Sequence, residues 1–473
     1  MKSIIWHRND LRIKDHEALA GAAEKGEILP VYIFDPEHFI TLDFGFQKTG
    51  PHRTKFLIES VKNLREAYQK KGGDLVVKAG DPAKVLKELA ENYEADRVCC
   101  MGEVTSEEKS TEERVRSNLS VPLEFYWGHS LYHPDDLPFE ISELPDVFTQ
   151  FRKKVEKKSQ IREPFPEPDN LKFIKTEDAG EIPELEDLDV ERQEPDDRAV
   201  LKFKGGESEA WKRLDHYFFQ ADQLRNYKYT RNGLLGADYS SKFSPWLALG
   251  CISPRSIYSE VKRYEEDVHK NVSTYWMIFE LIWRDYFRFS AQKYGDNIFR
   301  LGGIQGKKLE KRIDEEWFDK WKNAETGIPF IDANMRELRL TGYMSNRGRQ
   351  NVASFLAQNM DFDWRWGAAW FESMLIDYDV CSNWGNWAYN ATVGHDPRNR
   401  YFNILNQADK YDKKGEYVRS WLPELGDVST DFIHEPHKMS PEQQQLFNVQ
   451  IGKDYPEPIL DLEESYERIR NED

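Results

Sequence analysis

The sequence is short of cysteine, of long apolar runs and of glycine-rich phosphate signatures, and each shortage excludes something. Only four cysteines stand among 473 residues: Cys99 and Cys100 are adjacent, Cys251 and Cys381 stand alone, and no C-x-x-C or Cys/His metal spacing occurs. A disulfide-stapled secreted domain and a zinc module are therefore excluded, and no metal site is expected. No run approaches the roughly 20 apolar residues of a membrane span, and the opening MKSIIWHRNDLR lacks the apolar core of a signal peptide. The expected location is the cytoplasm. No G-x-G-x-x-G occurs, and GFQKTGPH at 45–52 misses the lysine and hydroxyl of a P-loop, so a classical nucleotide-binding motif is absent from the first half.

Positive charge is also scarce, with a net charge of −18. Its placement matters more than its size. Residues 177–198 hold 11 acids against Arg192 and Arg198, a sum of −9, and residues 453–473 hold 8 acids against three bases, a sum of −5. The other 430 residues share only −4, so a basic groove on one face, and with it a nucleic-acid partner, stays open.

Short β-branched runs (SIIW, PVYIF, DLVVKA, RVCCM, PLEFYW) alternate with helical stretches such as Thr54–Lys71 and Pro82–Tyr93 through the first 130 residues. This rhythm predicts βαβ units on a doubly wound parallel sheet. The segment 131–200, rich in Pro, Glu and Asp, reads as an acidic interdomain linker with little core of its own. Over 201–430 helical spacing takes over, and 12 of the 14 tryptophans lie there, which suggests a large flat ligand or a big aromatic core. Residues 431–473 read as an irregular acidic tail. The expected fold class is thus an α/β domain over 1–130 joined to an all-α domain, with monomer as the default state.

Three local patterns could carry chemistry. In Tyr239-Ser240-Ser241-Lys242-Phe243-Ser244-Pro245, Ser244 before Pro245 predicts an N-cap and a helix start. The freed N–H groups, the hydroxyls of Ser240 and Ser241 and the Lys242 ammonium would form an anion cup, the alternative being a plain capped helix. In TYWMIFELIWRDYFRF (274–289), Trp276, Phe279, Glu280, Trp283 and Phe287 form one helical stripe with a carboxylate in its middle. Such a stripe is ordinarily core, but an unpaired buried glutamate is costly, so Glu280 is a candidate ligand contact, with an arginine partner as the alternative. Asn346 and Arg349 share a helical face, and Asp377 and Asp379 follow in LIDYDVCSNWGNWAYN (375–390). A glycosidase pair or a divalent-metal site lacks its further acids, and an Arg349–Asp377 ion pair beside a cofactor is the better reading, against a purely structural salt bridge.

These residues resemble the photolyase/cryptochrome family, most closely its DASH branch. The resemblance spans Ser3 to about Leu425 and rests on RNDLR (8–12), FTQFRK (148–153), YKYTRNGLLGADYSSKFSPWLALGCISPR (227–255), FELIWRDYF (279–287), TGIPFIDANMREL (326–338), LIDYDVCSNWGNWAYN and GEYVRSWLPEL (415–425). It implies a U-shaped FAD in the helical domain. Tyr227, Ser240, Ser241, Lys242, Phe243 and Ser244 would meet the phosphate end; Asn346, Arg349, Asp377, Asp379 and Asn383 would surround the flavin ring, Asn383 beside N5. It also implies light-driven electron-transfer repair of cyclobutane pyrimidine dimers, with Glu280 hydrogen-bonding the dimer and Trp283 stacking on it. Tyr389 replaces the second stacking tryptophan of ordinary photolyases. Weaker stacking should hinder flipping from a duplex more than capture from a single strand, so lesion-bearing single-stranded DNA is the expected partner, with RNA or duplex DNA secondary. The alternative is a blue-light photoreceptor or regulator that repairs little.

Other branches fit less well. A (6-4) photolyase would carry a histidine within 346–349, and a flavin oxidoreductase would need a nicotinamide site; neither is present. Trp387 and Trp364 match the proximal and middle positions of the family's electron-hopping chain. The distal position holds Lys311, so either the chain is broken there or Trp317 substitutes; Trp384 reads as packing. His7 before RNDLR bears on domain packing, and His395 in VGHDPRN reads as a surface or capping histidine. An antenna, in this branch commonly 5,10-methenyltetrahydrofolate, would contact Glu103, for which helix capping is the alternative.

Overall fold

The computed structural model describes residues 1–395 and 401–471, so the 396–399 part of VGHDPRN lies outside the described residues. The β-branched runs form five strands, β1 (Lys2–His7), β2 (Glu27–Phe34), β3 (Val76–Ala79), β4 (Arg97–Met101) and β5 (Leu123–Tyr126). All pair in parallel in the order β3-β2-β1-β4-β5, the doubly wound arrangement expected from the rhythm. Both faces are covered, which is why β1 and β2 are buried almost throughout. Helix Pro51–Lys70 buries Phe56, Leu57, Val61 and Leu64 on one face.

The acidic segment expected to have little core is knitted into both halves. Helix Phe148–Lys158 packs Phe148 and Phe151 against the long helix Val272–Tyr294. The chain then returns to the sheet, where β6 (Lys172–Phe173) pairs with Glu27 and Ile28 of β2, and Ala179 O accepts from Val77 N–H. Leu185, Leu188 and Val190 are buried in the common core. The acids face outward and pair with lysines of the first domain, Lys55 with Glu194, Lys62 with Glu184 and Lys78 with Asp178. Alternation too sparse to see between acids still suffices to anchor a strap.

The tail, expected to be irregular, also departs from that reading. Helix Leu462–Asn471 buries Tyr466 and Ile469, and Tyr466 Oη accepts from Ile404 N–H at 2.8 Å.

The RNDLR turn joins the two halves. Leu11 N–H donates to Leu249 O, Arg12 donates to Gly250 O at 2.8 Å, and Gly250 holds φ +61°. A Cβ there would fall 2.0 Å from Asn9 O, so only glycine allows this approach. His7 sits buried beneath the turn, its Nε2 2.7 Å from Tyr68 Oη and its Nδ1 3.4 Å from Asp10, whose other oxygen meets His16 at 2.9 Å. His16 Nδ1 accepts from Leu19 N–H, so the ring nitrogens of both histidines are engaged within the protein. Asp15, also buried, pairs with Arg255 at 2.7 Å across the same junction.

Candidate functional site

The long helix begins with a capping box: Asn271 Oδ1 accepts from Ser273 and Thr274 N–H while Thr274 Oγ1 accepts from Asn271 N–H. Met277, Ile278, Leu281 and Ile282 face the core. The aromatic stripe beside them is mostly not core. Trp276, Phe279, Glu280 and Trp283 are half-buried, and the last three wall a cavity of about 400 Å³. Trp283 stacks on Phe148, centroids 3.6 Å apart and planes 10° off parallel, and stands edge-on to Tyr389 at 6.3 Å. Glu280 meets Arg231 at 2.7 Å; burial raises its pKa against that pairing. The arginine partner expected as the alternative is therefore present, and the carboxylate it holds lies at the cavity wall.

Tyr227, Ser240, Ser241, Lys242, Phe243 and Ser244 line the same cavity. The short helix there runs Ser244–Ala248 and is capped by Phe243 without a side-chain bond, so Ser244 is its first residue rather than the N-cap. The cause is Lys242, whose left-handed φ of 56° turns the chain one residue early. Arg213, which lies in no motif that sequence reasoning singles out, holds this loop from behind through Ala237 O, Ser240 O, Ser241 O and the Asp238 carboxylate. The Lys242 ammonium rests 3.2 Å from the Tyr239 ring centroid; burial and Arg213 bring its pKa down to about 6.

Asn346, Arg349 and Asp377 line both this cavity and a narrower one of about 110 Å³ that reaches Asp379, Asn383 and Trp387. The expected ion pair forms: Arg349 Nη2 donates to Asp377 Oδ2 at 2.8 Å. Asp379 caps helix Val380–Asn390 by accepting from Ser382 N–H at 2.8 Å, and its other oxygen lies 3.4 Å from both Arg284 and Arg288. Burial opposes ionisation, but the two arginines and the capped N–H hold its pKa down at about 2. Asn383 donates to Ala368 O at 3.0 Å, which fixes the orientation of its amide. Asp377 Oδ1 and Gln350 Oε1, on residues lining the cavity, are buried and have no hydrogen-bond partner among the described residues. Two orphaned acceptors beside an arginine, in one cavity with a serine-rich loop, suit a ligand that carries both ring donors and anionic groups. FAD fits that description.

A second cavity of about 400 Å³ lies between the sheet and the helical half, where Arg8, Lys48, Glu103, Tyr378 and Trp384 meet. Glu103 is buried and accepts from Arg288 at 2.8 Å, 3.5 Å from His129; these cations overcome burial and hold it at about pKa 2. It caps no helix. Arg288 thus bridges Glu103 in one cavity to Asp379, which lines both the second and the narrow one.

Trp387 and Trp364 are fully buried, Trp364 donating to Leu301 O at 3.0 Å. Trp384, expected as packing, stands edge-on to Trp364 with centroids 5.7 Å apart and donates to Tyr378 Oη. Trp317 lies under the Arg312 guanidinium at 4.0 Å, and among the described residues no ring contact joins it to another tryptophan. Lys311 pairs with Asp361, which Arg468 of the tail helix approaches at 3.6 Å. His395 lies outside the cavity, half-buried between Tyr286, Ser290 and Asp146 O; burial lowers its pKa to about 4.

Two family models match the chain: DNA photolyase over residues 3–169 and the FAD-binding domain of DNA photolyase over 276–472. Cryptochrome DASH of Gloeobacter violaceus is 52% identical over 98% of this chain and 93% of its own length. The chain belongs to the photolyase/cryptochrome family, in its DASH branch. The crystal structure of a Synechocystis cryptochrome superposes with a TM-score of 0.96 at 50% identity, covering 100% of this chain and 99% of the other. An archaeal photolyase from Sulfolobus tokodaii, solved with two FAD molecules, gives a TM-score of 0.80 at 28% identity over 100% and 99% of the two chains. As a DASH-branch member the chain carries an FAD-binding domain, and the first cavity of about 400 Å³ lies within its helical half. No helix among the described residues is long and apolar enough to cross a membrane.

Proposed function

We propose that this chain is a light-driven DNA repair enzyme that splits cyclobutane pyrimidine dimers, preferentially in single-stranded DNA, acting as a cytoplasmic monomer. The observation that carries the reading is that Glu280, Trp283 and Tyr389 line one cavity together with the serine loop and the Arg349–Asp377 pair. FAD, when bound and excited by blue light, supplies the electron that opens the dimer. The cup of Tyr227, Ser240, Ser241, Lys242, Phe243 and Ser244 holds its anionic end; Asn346, Arg349, Asp377, Asp379 and Asn383 surround its ring. Asn383 offers an amide, which cannot readily protonate the reduced ring as a carboxylic acid could. Glu280, paired with Arg231, offers a carboxylate that can accept from a pyrimidine N–H, and Trp283, backed by Phe148, offers a fixed stacking face. Tyr389, edge-on to Trp283, adds less stacking area than an indole would, which favours lesions that are already unpaired. Trp387 and Trp364 serve as inner electron carriers. The second cavity, with Glu103, takes an antenna such as 5,10-methenyltetrahydrofolate.

Blue-light repair by chemically reduced protein, on single-stranded and duplex oligonucleotides carrying one thymine dimer, tests the reading. Repair of the single strand with little in the duplex is expected. No repair of either by protein that holds FAD and binds DNA would instead indicate a photoreceptor.

A further inference from the structure

Where the family's electron-hopping chain has its distal tryptophan, this protein has Lys311, held by Asp361. Trp317 is poorly placed to replace it, with the Arg312 guanidinium 4.0 Å over its ring and, among the described residues, no ring contact to another tryptophan. Trp364 does have such a contact. Trp384 stands edge-on to it with ring centroids 5.7 Å apart. Electron tunnelling falls off exponentially with distance, so a hole on Trp364 moves first to the ring that touches it. Trp364 is fully buried, whereas Trp384 is half-buried and lines the second cavity.

Beside Trp384 lies a group able to trap the hole. The Trp384 indole N–H donates to Tyr378 Oη at 3.3 Å, which leaves the Tyr378 hydroxyl proton for a second partner, the Glu372 carboxylate. The Arg53 guanidinium lies 4.7 Å from the Tyr378 ring centroid. A cation there opposes positive charge on the ring, so Tyr378 is oxidised only if its proton leaves in the same step. Burial and the Glu372 charge push the Tyr378 hydroxyl well above its ordinary range, so it keeps that proton until it is oxidised. Glu372 is the base within reach. Burial lifts its pKa to about 7 against the pull of Arg53 and Lys48, with Glu107 adding to the rise, so above neutral pH it is mostly a carboxylate. Arg53, Glu372, Tyr378 and Trp384 all line the second cavity.

We propose that Trp384 and Tyr378 form the outer end of the electron chain, with Glu372 as the acceptor of the tyrosine proton. The inference rests on the reading of Trp387 and Trp364 as inner carriers. The Trp384 cation radical takes one electron from Tyr378 while the phenolic proton passes to Glu372, giving neutral Trp384, a neutral tyrosyl radical and a carboxylic acid. A thiolate reductant in the second cavity then returns one electron and becomes a thiyl radical, and Glu372 returns the proton. Each cycle leaves one electron on the flavin and the site as it began.

The test is flash photolysis of the full FAD-loaded chain in dilute thiol without DNA, read by transient absorption and by electron paramagnetic resonance with ring-deuterated tyrosine. The unaltered chain should show a tryptophanyl signal that decays as a tyrosyl signal rises, more slowly in D2O. Y378F should lose the tyrosyl signal and keep the tryptophanyl one, and W384F should lose both as long-lived species. E372Q keeps a hydrogen-bonding side chain but no base, and should slow tyrosyl formation by roughly 10²-fold, the lower end of what a positioned base contributes. The tyrosyl yield of the unaltered chain should fall as pH drops through about 7, where Glu372 is protonated from solvent, and that of E372Q should stay flat. Thermal melting and flavin absorbance establish that the variants are folded, and Y378F removes only one oxygen. A tyrosyl signal that survives Y378F overturns the proposal, as does a long-lived radical untouched by W384F. A radical that survives W364F overturns the inner-carrier reading and this inference with it, whereas loss in W364F with no effect of W384F or Y378F overturns this inference alone. Repair by chemically reduced protein bypasses the chain, so its outcome is separate.

Discussion

At the scale of single residues, the site is built from groups whose charges are set by their neighbours. Burial brings Lys242 down to about pKa 6, so at pH 8 it is largely neutral while the cup is empty of anion. An anionic group bound there restores the charge, so binding at pH 8 takes up a proton and affinity falls as pH rises from 6 toward the ordinary lysine range. Calorimetry of FAD binding to stripped protein in buffers of different ionisation enthalpy should show this uptake, and K242M should abolish it. Glu280→Gln keeps shape and removes the carboxylate that faces Arg231; the repair yield should drop by about tenfold or more, the scale of a charged hydrogen bond, with single-strand affinity within twofold. For the tryptophans, a guanidinium 4.0 Å above Trp317 disfavours a positive charge on that ring. Transient absorption should therefore find the radical unaffected by W317F and strongly reduced by W364F. The identity of most of these residues was legible in long sequence motifs. Arg213 behind the cup, Arg231 beside Glu280 and Arg288 between the two cavities were not, because each acts through contacts made by the fold rather than by spacing along the chain.

At the scale of elements, two contacts decide how the mouth is presented. Asp379 caps helix Val380–Asn390 and faces two arginines, so D379A should lose at least the 1–2 kcal/mol of the cap in chemical unfolding. Because its folded pKa lies near 2, below the unfolded value, the contribution is full above about pH 4 and disappears as pH falls through 2. Phe148→Ala removes the ring behind Trp283 and should destabilise by about 3–5 kcal/mol while weakening single-strand capture, read by unfolding midpoints and anisotropy. Strands β1–β5 and helix Pro51–Lys70 were legible because β-branched runs and a sustained apolar face impose their own period. Strand β6 was not, since two residues inside an acidic stretch carry no period at all. The tail helix was obscured by its charge, which lies on the face opposite Tyr466 and Ile469. The stripe of the long helix shows the converse limit: periodicity located it, but could not tell a cavity wall from a core.

At the scale of the whole molecule, the halves are joined by buried polar contacts as well as by apolar packing. Asp15 and Arg255 meet across the junction with both side chains buried, so D15A strands an arginine and should cost about 3–5 kcal/mol. Unfolding followed separately by flavin release and by far-ultraviolet circular dichroism should then lose its common midpoint. The path of the strap has a further consequence, for the order in which the protein can be made. Helix Phe148–Lys158 is complete about 115 residues before its partner helix Val272–Tyr294 begins. At the usual pace of synthesis that gap lasts roughly 6 to 25 s. Throughout it Trp283 and Tyr286, on which Phe148 and Phe151 pack, are missing, and of their aromatic neighbours only Phe139 is already made. The growing chain therefore carries an uncovered apolar seam on a helix whose other face holds four exposed lysines, and their mutual repulsion opposes association of one such seam with another.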